Sequence, residues 1–267
     1  MKHTYSIIFM GTPYFAVPTL QALVQNGHDV ELVVTQPDRP KGRGRQLTAS
    51  PVKVHSLKLN LDILQPSTLK NEEFIEQVRH IQPDFFVVIA FGHILTEKIL
   101  QVPKLGAINI HASLLPKYRG PAPIQWAIIN GERQTGVTTM LMDSGLKPIP
   151  QDHSQATYAP LLKKQDGHID WQKPAKELQS FIRGMTPWPG AFTYHHQNRL
   201  KVLRTALVRG NVLQGAGTIL PGFADELRVA TGKDALSIIE IQGPSGKRLA
   251  IADFLRGYPL PPGTILK

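Results

Sequence analysis

No cysteine occurs among the 267 residues, which excludes disulfides, thiolate metal sites and cysteine nucleophiles. No apolar run approaches the roughly 20 residues that a membrane-crossing helix needs. The start, Met1-Lys2-His3-Thr4-Tyr5, runs straight into a strand without a signal-peptide layout, so no membrane partner is expected. A dinucleotide fingerprint needs three spaced glycines at the first strand–helix turn, and only Gly11 stands there, which argues against a dinucleotide cofactor. No cluster of ligating side chains has metal-site spacing, so no metal is expected. Acidic residues are also short, 20 against 30 basic, for a formal charge of +10. That excess favours an anionic partner such as nucleic acid, although basic surfaces also occur in proteins that bind nothing. A cytoplasmic enzyme of two ordinary domains is the simplest fit to this length and composition.

The chain opens with a β-branched and aromatic run, residues 6–10, which ends at Gly11-Thr12-Pro13. Phe15, Leu20, Leu23 and Val24 then recur at helical spacing, and residues 30–35 form a second strand. Strand, helix and strand in succession predict a parallel sheet. The segment Gln36-Pro37-Asp38-Arg39-Pro40-Lys41-Gly42-Arg43-Gly44-Arg45 is expected to be neither helix nor strand; it is either a solvated connection or a loop that orders against a phosphate backbone. Residues 51–59 predict a helix, Ile63-Leu64 a short strand, and Asn71 caps a helix with Phe74, Ile75, Val78 and Ile81 on one face. Residues 85–90 make a buried strand ending at the turn Phe91-Gly92-His93-Ile94-Leu95. Residues 124–130 read as helix and 136–142 as strand. After Leu146 the texture becomes polar and proline-rich, a linker over residues 149–167. A helix follows, and from Ala191 short β-like runs alternate with turns, suggesting a small barrel over residues 168–267. This part holds 13 basic and 7 acidic residues, most of the net charge.

The chemistry concentrates in residues 108–125. Leu105, Ala107, Ile108 and Ile110 predict a strand that the following prolines and Gly120 stop, leaving Asn109 and His111 at its carboxyl end. Two residues apart on an extended backbone, they point to one side, and ligands of open α/β sheets bind beyond the strand ends. An amide can stabilise an oxyanion and an imidazole can move a proton. The pairing suits acyl or formyl transfer to an amine.

Ile108-Asn109-Ile110-His111-Ala112-Ser113-Leu114-Leu115-Pro116, with Tyr118-Arg119-Gly120 and Ala122-Pro123-Ile124-Gln125, resembles the formyltransferase family that uses 10-formyltetrahydrofolate. The Phe9-Met10-Gly11-Thr12-Pro13 start, Gln36-Pro37-Asp38-Arg39-Pro40 with Gly42-Arg43-Gly44, Ser50-Pro51-Val52-Lys53, Ile169-Asp170-Trp171 and Pro187-Trp188-Pro189 narrow the resemblance to its methionyl-tRNA branch, over nearly the whole chain. The resemblance implies an α/β, Rossmann-like, mostly parallel catalytic domain over residues 1–148, the linker, and an OB-like barrel that grips tRNA. It makes Asn109 and His111 catalytic. Phe91, Gly92, Ile94 and Leu95, with Ser113, Leu114, Leu115 and Pro116, would bind the folate; Lys41, Arg43 and Arg45 would meet the initiator methionyl-tRNA. A monomer is expected.

One departure stands out. Family members continue from the Met-Asp-x-Gly-Leu motif into Asp-Thr-Gly-Asp, whose first aspartate is the third catalytic residue, whereas here Lys147 follows Leu146. Asp143 matches the earlier aspartate, so several tens of residues completing the first domain have no counterpart. Either they are deleted, or the sequence as it stands skips them; the second is expected, because losing part of the sheet's cover would expose apolar surface. Two other readings follow: a tRNA-binding relative without catalysis, and a formyltransferase for a small amine.

Overall fold

The computed structural model describes residues 3–41, 46–142, 150–222 and 224–267. They group into two compact units, Met1–Leu114 with Gly136–Asp152, and Leu115–Thr135 with His153–Lys267.

The first unit runs β1 (Ser6–Gly11), α1 (Val17–Gln25), β2 (Asp29–Val34), β3 (Arg39–Lys41), β4 (Gln46–Thr48), α2 (Pro51–Lys58), β5 (Ile63–Leu64), α3 (Glu72–Ile81), β6 (Phe85–Ile89), α4 (Glu97–Leu100), β7 (Gly106–His111) and β8 (Thr138–Met142). The main sheet has the order β5-β2-β1-β6-β7-β8, parallel except for β8, which pairs antiparallel with β7. Successive residues of a strand face opposite sides. Ile8 and Met10 accordingly pack with Leu32, Phe74, Val78, Phe86 and Val88 in one core, and Ile7 and Phe9 with Val17, Leu20, Val33 and Val87 in the other. Burial on both faces is why β1 and β6 read as unbroken apolar runs. Helix α3 starts where Asn71 accepts a hydrogen bond from the Glu73 backbone N–H (3.1 Å), with Glu72 and Glu73 in its first turn.

The segment expected to hold no strand is corrected by the structure. Arg39, Pro40 and Lys41 pair antiparallel with Thr48, Leu47 and Gln46, making a separate two-stranded sheet. With no third strand alongside among the described residues, the missing N–H of Pro40 leaves no ladder partner stranded.

At the other margin, β8 alternates half-buried and exposed positions. Leu141 is 43% exposed and leans over Gly106, where an added Cβ would sit 3.1 Å from its Cδ1. Leu105, Leu114 and Val137 are exposed as well, so apolar surface lies open in this unit.

The second unit contains α5 (Pro123–Ile129), α6 (Ala175–Met185), β9 (Phe192–His195), β10 (Asn198–Val208), β11 (Leu227–Ala230), β12 (Ala235–Gln242), β13 (Arg248–Ala250) and α7 (Ile251–Gly257). Its antiparallel sheet, ordered β11-β12-β10-β9 with β13 on β12, curls into a small barrel-like domain around Leu178, Ile182, Leu200, Val202, Leu236 and Ile238. Helices α5 and α6 meet at Gly184, where a Cβ would lie 2.6 Å from Ile129 Cγ1. Residues 153–167 form two 3-10 turns and bury Ala159 and Leu162. Trp171 Nε1 donates to Thr193 Oγ1 (3.0 Å), which donates to the Lys267 carbonyl (2.8 Å).

Candidate active site

Strand β7 places Asn109 and His111 on one face at its carboxyl end, both half-buried. Asn109 lies between Val88 of β6 and Met140 of β8, and His111 lies opposite Thr138. The Asn109 carboxamide has no hydrogen-bond partner among the described residues, so its two N–H donors are available to a ligand. The strand is stopped by a short turn in which Ser113 N donates to the His111 carbonyl (2.9 Å) and Thr138 Oγ1 donates to the Ser113 carbonyl (2.7 Å). Ser113 is fully buried and Leu114 is exposed. Leu115 and Pro116, joined by a cis peptide bond, belong to the second unit.

The turn after β6 stands two strands from β2 in the same sheet. Ala90 (φ 47°) and Gly92 (φ 87°) reverse the chain there, a conformation glycine adopts at little cost. The carbonyl of Phe91 accepts from Thr12 Oγ1 (3.0 Å) and Gln36 Nε2 (3.4 Å). The side chains of Phe91 and Leu95 belong to the core rather than to open surface, while Ile94 is 92% exposed. Of the four residues expected to line a folate pocket here, Gly92 and Ile94 are the accessible pair.

The base of the basic hairpin is tied to this turn. Arg39 Nη2 donates to Gln36 Oε1 (2.9 Å), and Gln65 Nε2 donates to the Gln36 carbonyl (2.7 Å) and to Asp38 Oδ1 (2.8 Å). Lys53 pairs with Asp38 at 2.7 Å and, ahead of Gln65, holds its carboxyl below the usual range. Lys53 is itself placed by α2, whose cap Ser50 accepts from the Lys53 N–H (3.0 Å). Lys41 ends β3; Arg43 and Arg45 lie outside the described residues.

Sequence reasoning passed over Gln36 and Gln65 as anchors, because a glutamine amide carries no pattern until its partners are known. It also passed over His93. The His93 ring packs on Phe91 (5.3 Å between centroids), and its Nε2 is buried without a partner. Burial, then the Arg39 charge, lowers its pKa below 6.5. A histidine whose folded pKa is depressed takes up a proton more readily when unfolded, so the stability present above pH 6.5 is lost as pH falls through and below that value. His93→Gln is therefore expected to flatten the decline of the urea midpoint on acidification. An unchanged decline would show that His93 does not contribute.

A shallow depression beside α3, lined by Leu64, Pro66, Asn71 and Phe74 among others, offers no comparable grouping. Among the described residues no group of three or more acidic or imidazole side chains could hold a metal ion, and no helix is long and apolar enough to cross a membrane.

The N-terminal formyl transferase domain matches residues 5–148, and the formyl transferase C-terminal domain matches residues 161–259. The methionyl-tRNA formyltransferase of Caldanaerobacter subterraneus subsp. tengcongensis is 42% identical over 308 residues, covering 98% of this chain and 99% of the relative. That of Citrifermentans bemidjiense is 44% identical over 307 residues, covering 97% and 96%. Both alignments exceed the 267 residues of this chain, so each relative carries several tens of residues without counterpart here. Among solved structures, Aquifex aeolicus HypX in complex with tetrahydrofolic acid superposes with a TM-score of 0.62 at 14% identity, over 95% of this chain and 47% of that one. An N-formyltransferase from Helicobacter canadensis gives 0.60 at 16%, over 87% and 98%; both likenesses concern the fold. With both domains matched and relatives above 40% identity along nearly its whole length, this chain belongs to the formyl transferase family, among the methionyl-tRNA formyltransferases.

Proposed function

We propose that this protein moves a formyl group from 10-formyltetrahydrofolate to the α-amino group of methionine esterified to initiator tRNA, as a cytoplasmic monomer acting in translation initiation. The observation that carries the reading is the Asn109–His111 pair on one face at the end of β7, in a chain of this family.

The neutral amine attacks the formyl carbon, and the new C–N bond leaves a tetrahedral intermediate. Asn109 donates to its oxyanion, where charge develops. His111 carries the proton released by the amine to N10 of the folate as the C–N10 bond breaks, so tetrahydrofolate leaves as a neutral amine. These two residues supply the donor and the proton carrier, so the reading needs no metal.

Accessible Gly92 and Ile94 with Ser113 and Leu114 border the folate in this reading, joined by Phe91, Leu95, Leu115 and Pro116. The catalytic domain spans residues 1–148 and the RNA-holding domain residues 168–267, with residues 149–167 between. Lys41, Arg43 and Arg45 contact the tRNA acceptor arm. Arg43→Ala is expected to raise KM for the tRNA roughly 10- to 100-fold, the worth of one charge-assisted hydrogen bond, and to leave KM for the folate unchanged. Equal effects on both constants would count against RNA recognition by the loop.

The alignments longer than the chain favour a second reading. If the relatives' extra residues fall after Leu146, supply the third catalytic carboxylate and are truly deleted here, the protein is a tRNA-binding relative without transfer activity. Incubation with 10-formyltetrahydrofolate and charged initiator tRNA separates the two: formyl-methionine on the tRNA supports the enzyme, and binding without transfer supports the second reading.

A further inference from the structure

Gln36 stands between two segments of the first unit, the turn after β6 and the hairpin of β3 and β4. It is polar yet only 9% exposed. Its amide is used at both ends: Oε1 accepts from Arg39 Nη2 (2.9 Å), and Nε2 donates to the Phe91 carbonyl (3.4 Å). Its backbone is held as well. The Gln36 N–H donates to Thr12 Oγ1 (3.4 Å), which donates in turn to the same Phe91 carbonyl, and the Gln36 carbonyl accepts from Gln65 Nε2. One buried residue therefore joins the first residue of β3 to the turn that follows β6.

The chemistry of the join is unusual for an arginine. Asp38, beside Arg39 in the chain, is engaged by Lys53 and Gln65, and Arg39 forms no ion pair with a carboxylate among the described residues. The guanidinium is steadied by a neutral amide instead. On the other side, Gly92 rests against that amide, since a Cβ there would lie 3.5 Å from Gln36 Nε2. Arg39 and the turn are electrostatic neighbours too: after burial, the Arg39 charge is what lowers the His93 pKa.

We propose that Gln36 couples the two substrates, so that folate at the turn tightens the hold of the hairpin on the RNA, and RNA tightens folate. The proposal rests on the reading above, in which Gly92 and Ile94 border the folate and Lys41 meets the acceptor arm. Folate packed against Gly92 steadies the Phe91 carbonyl and, through it, the Nε2 donor. Donor and acceptor of a glutamine belong to one rigid amide, so steadying Nε2 also steadies the Oε1 that Arg39 uses. The base of the hairpin is then ordered before RNA arrives, and RNA binds without the full cost of ordering it. Coupling between two sites is reciprocal, so each ligand must favour the other by the same factor.

The test uses the intact protein, initiator methionyl-tRNA and tetrahydrofolate, which lacks the formyl group and so permits binding without turnover. Saturating tetrahydrofolate is expected to tighten tRNA binding to the unmodified protein about fivefold or more, and tRNA to tighten tetrahydrofolate equally. Gln36→Met, similar in size but without the amide, should bring that factor to about one while each ligand still binds alone. Gln36→Glu keeps an acceptor for Arg39 and loses the donor to Phe91, so it should abolish coupling too, and it decides the matter should Gln36→Met fail to fold. A merely structural role would weaken each ligand separately and leave the factor unchanged. A factor that survives in Gln36→Glu, or an unmodified protein that binds both ligands without mutual effect, overturns the coupling and leaves the RNA reading intact. Absence of tRNA binding by the unmodified protein overturns both.

Discussion

Asn109→Ala is expected to lower kcat for formyl transfer about 100- to 1000-fold, the usual cost of removing one oxyanion donor. The carboxamide is free of internal hydrogen bonds among the described residues, so its removal breaks nothing in the fold. It sits beside Val88 in a paired strand, which fixes its position before any ligand arrives. Binding of folate and tRNA should therefore change little while the chemical step slows, the signature of an interaction made only in the transition state. His111→Gln should also reduce kcat, by about 100- to 10,000-fold, because a neutral amide cannot carry the proton. Single-turnover formylation of methionyl-tRNA reads both effects. A kcat within threefold of the unmodified protein in Asn109→Ala would remove this residue from the mechanism.

Phe86→Ala is the substitution expected to cost most stability, about 3 to 5 kcal/mol. The ring is fully buried in β6, between Ile8 of β1 and Ala107 of β7, in the core shared with α3 and α4. Strand pairing on both sides prevents the neighbours from closing over the void, so the cavity adds its own cost to that of the forfeited burial. Domains of ordinary size are stable by about 5 to 15 kcal/mol, so much of the first unit's margin would go. A urea titration monitored in the first unit measures it; a shift in midpoint equivalent to less than about 1 kcal/mol would mean that the site collapses freely.

Local patterns carried much of the first unit into view. Continuous apolar runs marked β1 and β6, Asn71 marked the start of α3, and the apolar lead-in with prolines after it marked β7 with Asn109 and His111 at its end. The β3–β4 hairpin escaped because Pro40 and the glycines beside it argue against a strand, and only pairing with Gln46, Leu47 and Thr48 makes one. Residues expected to line the folate could not be sorted by access: the motif Phe91-Gly92-His93-Ile94-Leu95 does not tell that Phe91 and Leu95 turn inward while Ile94 faces out. The alignment of two cations across the second unit's sheet was invisible for a further reason. Lys201 and Arg248 are separated by tens of residues, and only their shared strand partner Gln242 brings them together.

The order β5-β2-β1-β6-β7-β8 also sets a timetable for synthesis. Strand β1 becomes an inner strand of the finished sheet, and β6, its neighbour on one side, begins at Phe85. At ribosomal speeds of about 5 to 20 residues per second, the stretch from Gly11 to Phe85 takes roughly 4 to 15 seconds to make. Throughout that interval β1 can pair only with β2, and the hydrophobic edge awaiting β6 is open to whatever the emerging chain meets first.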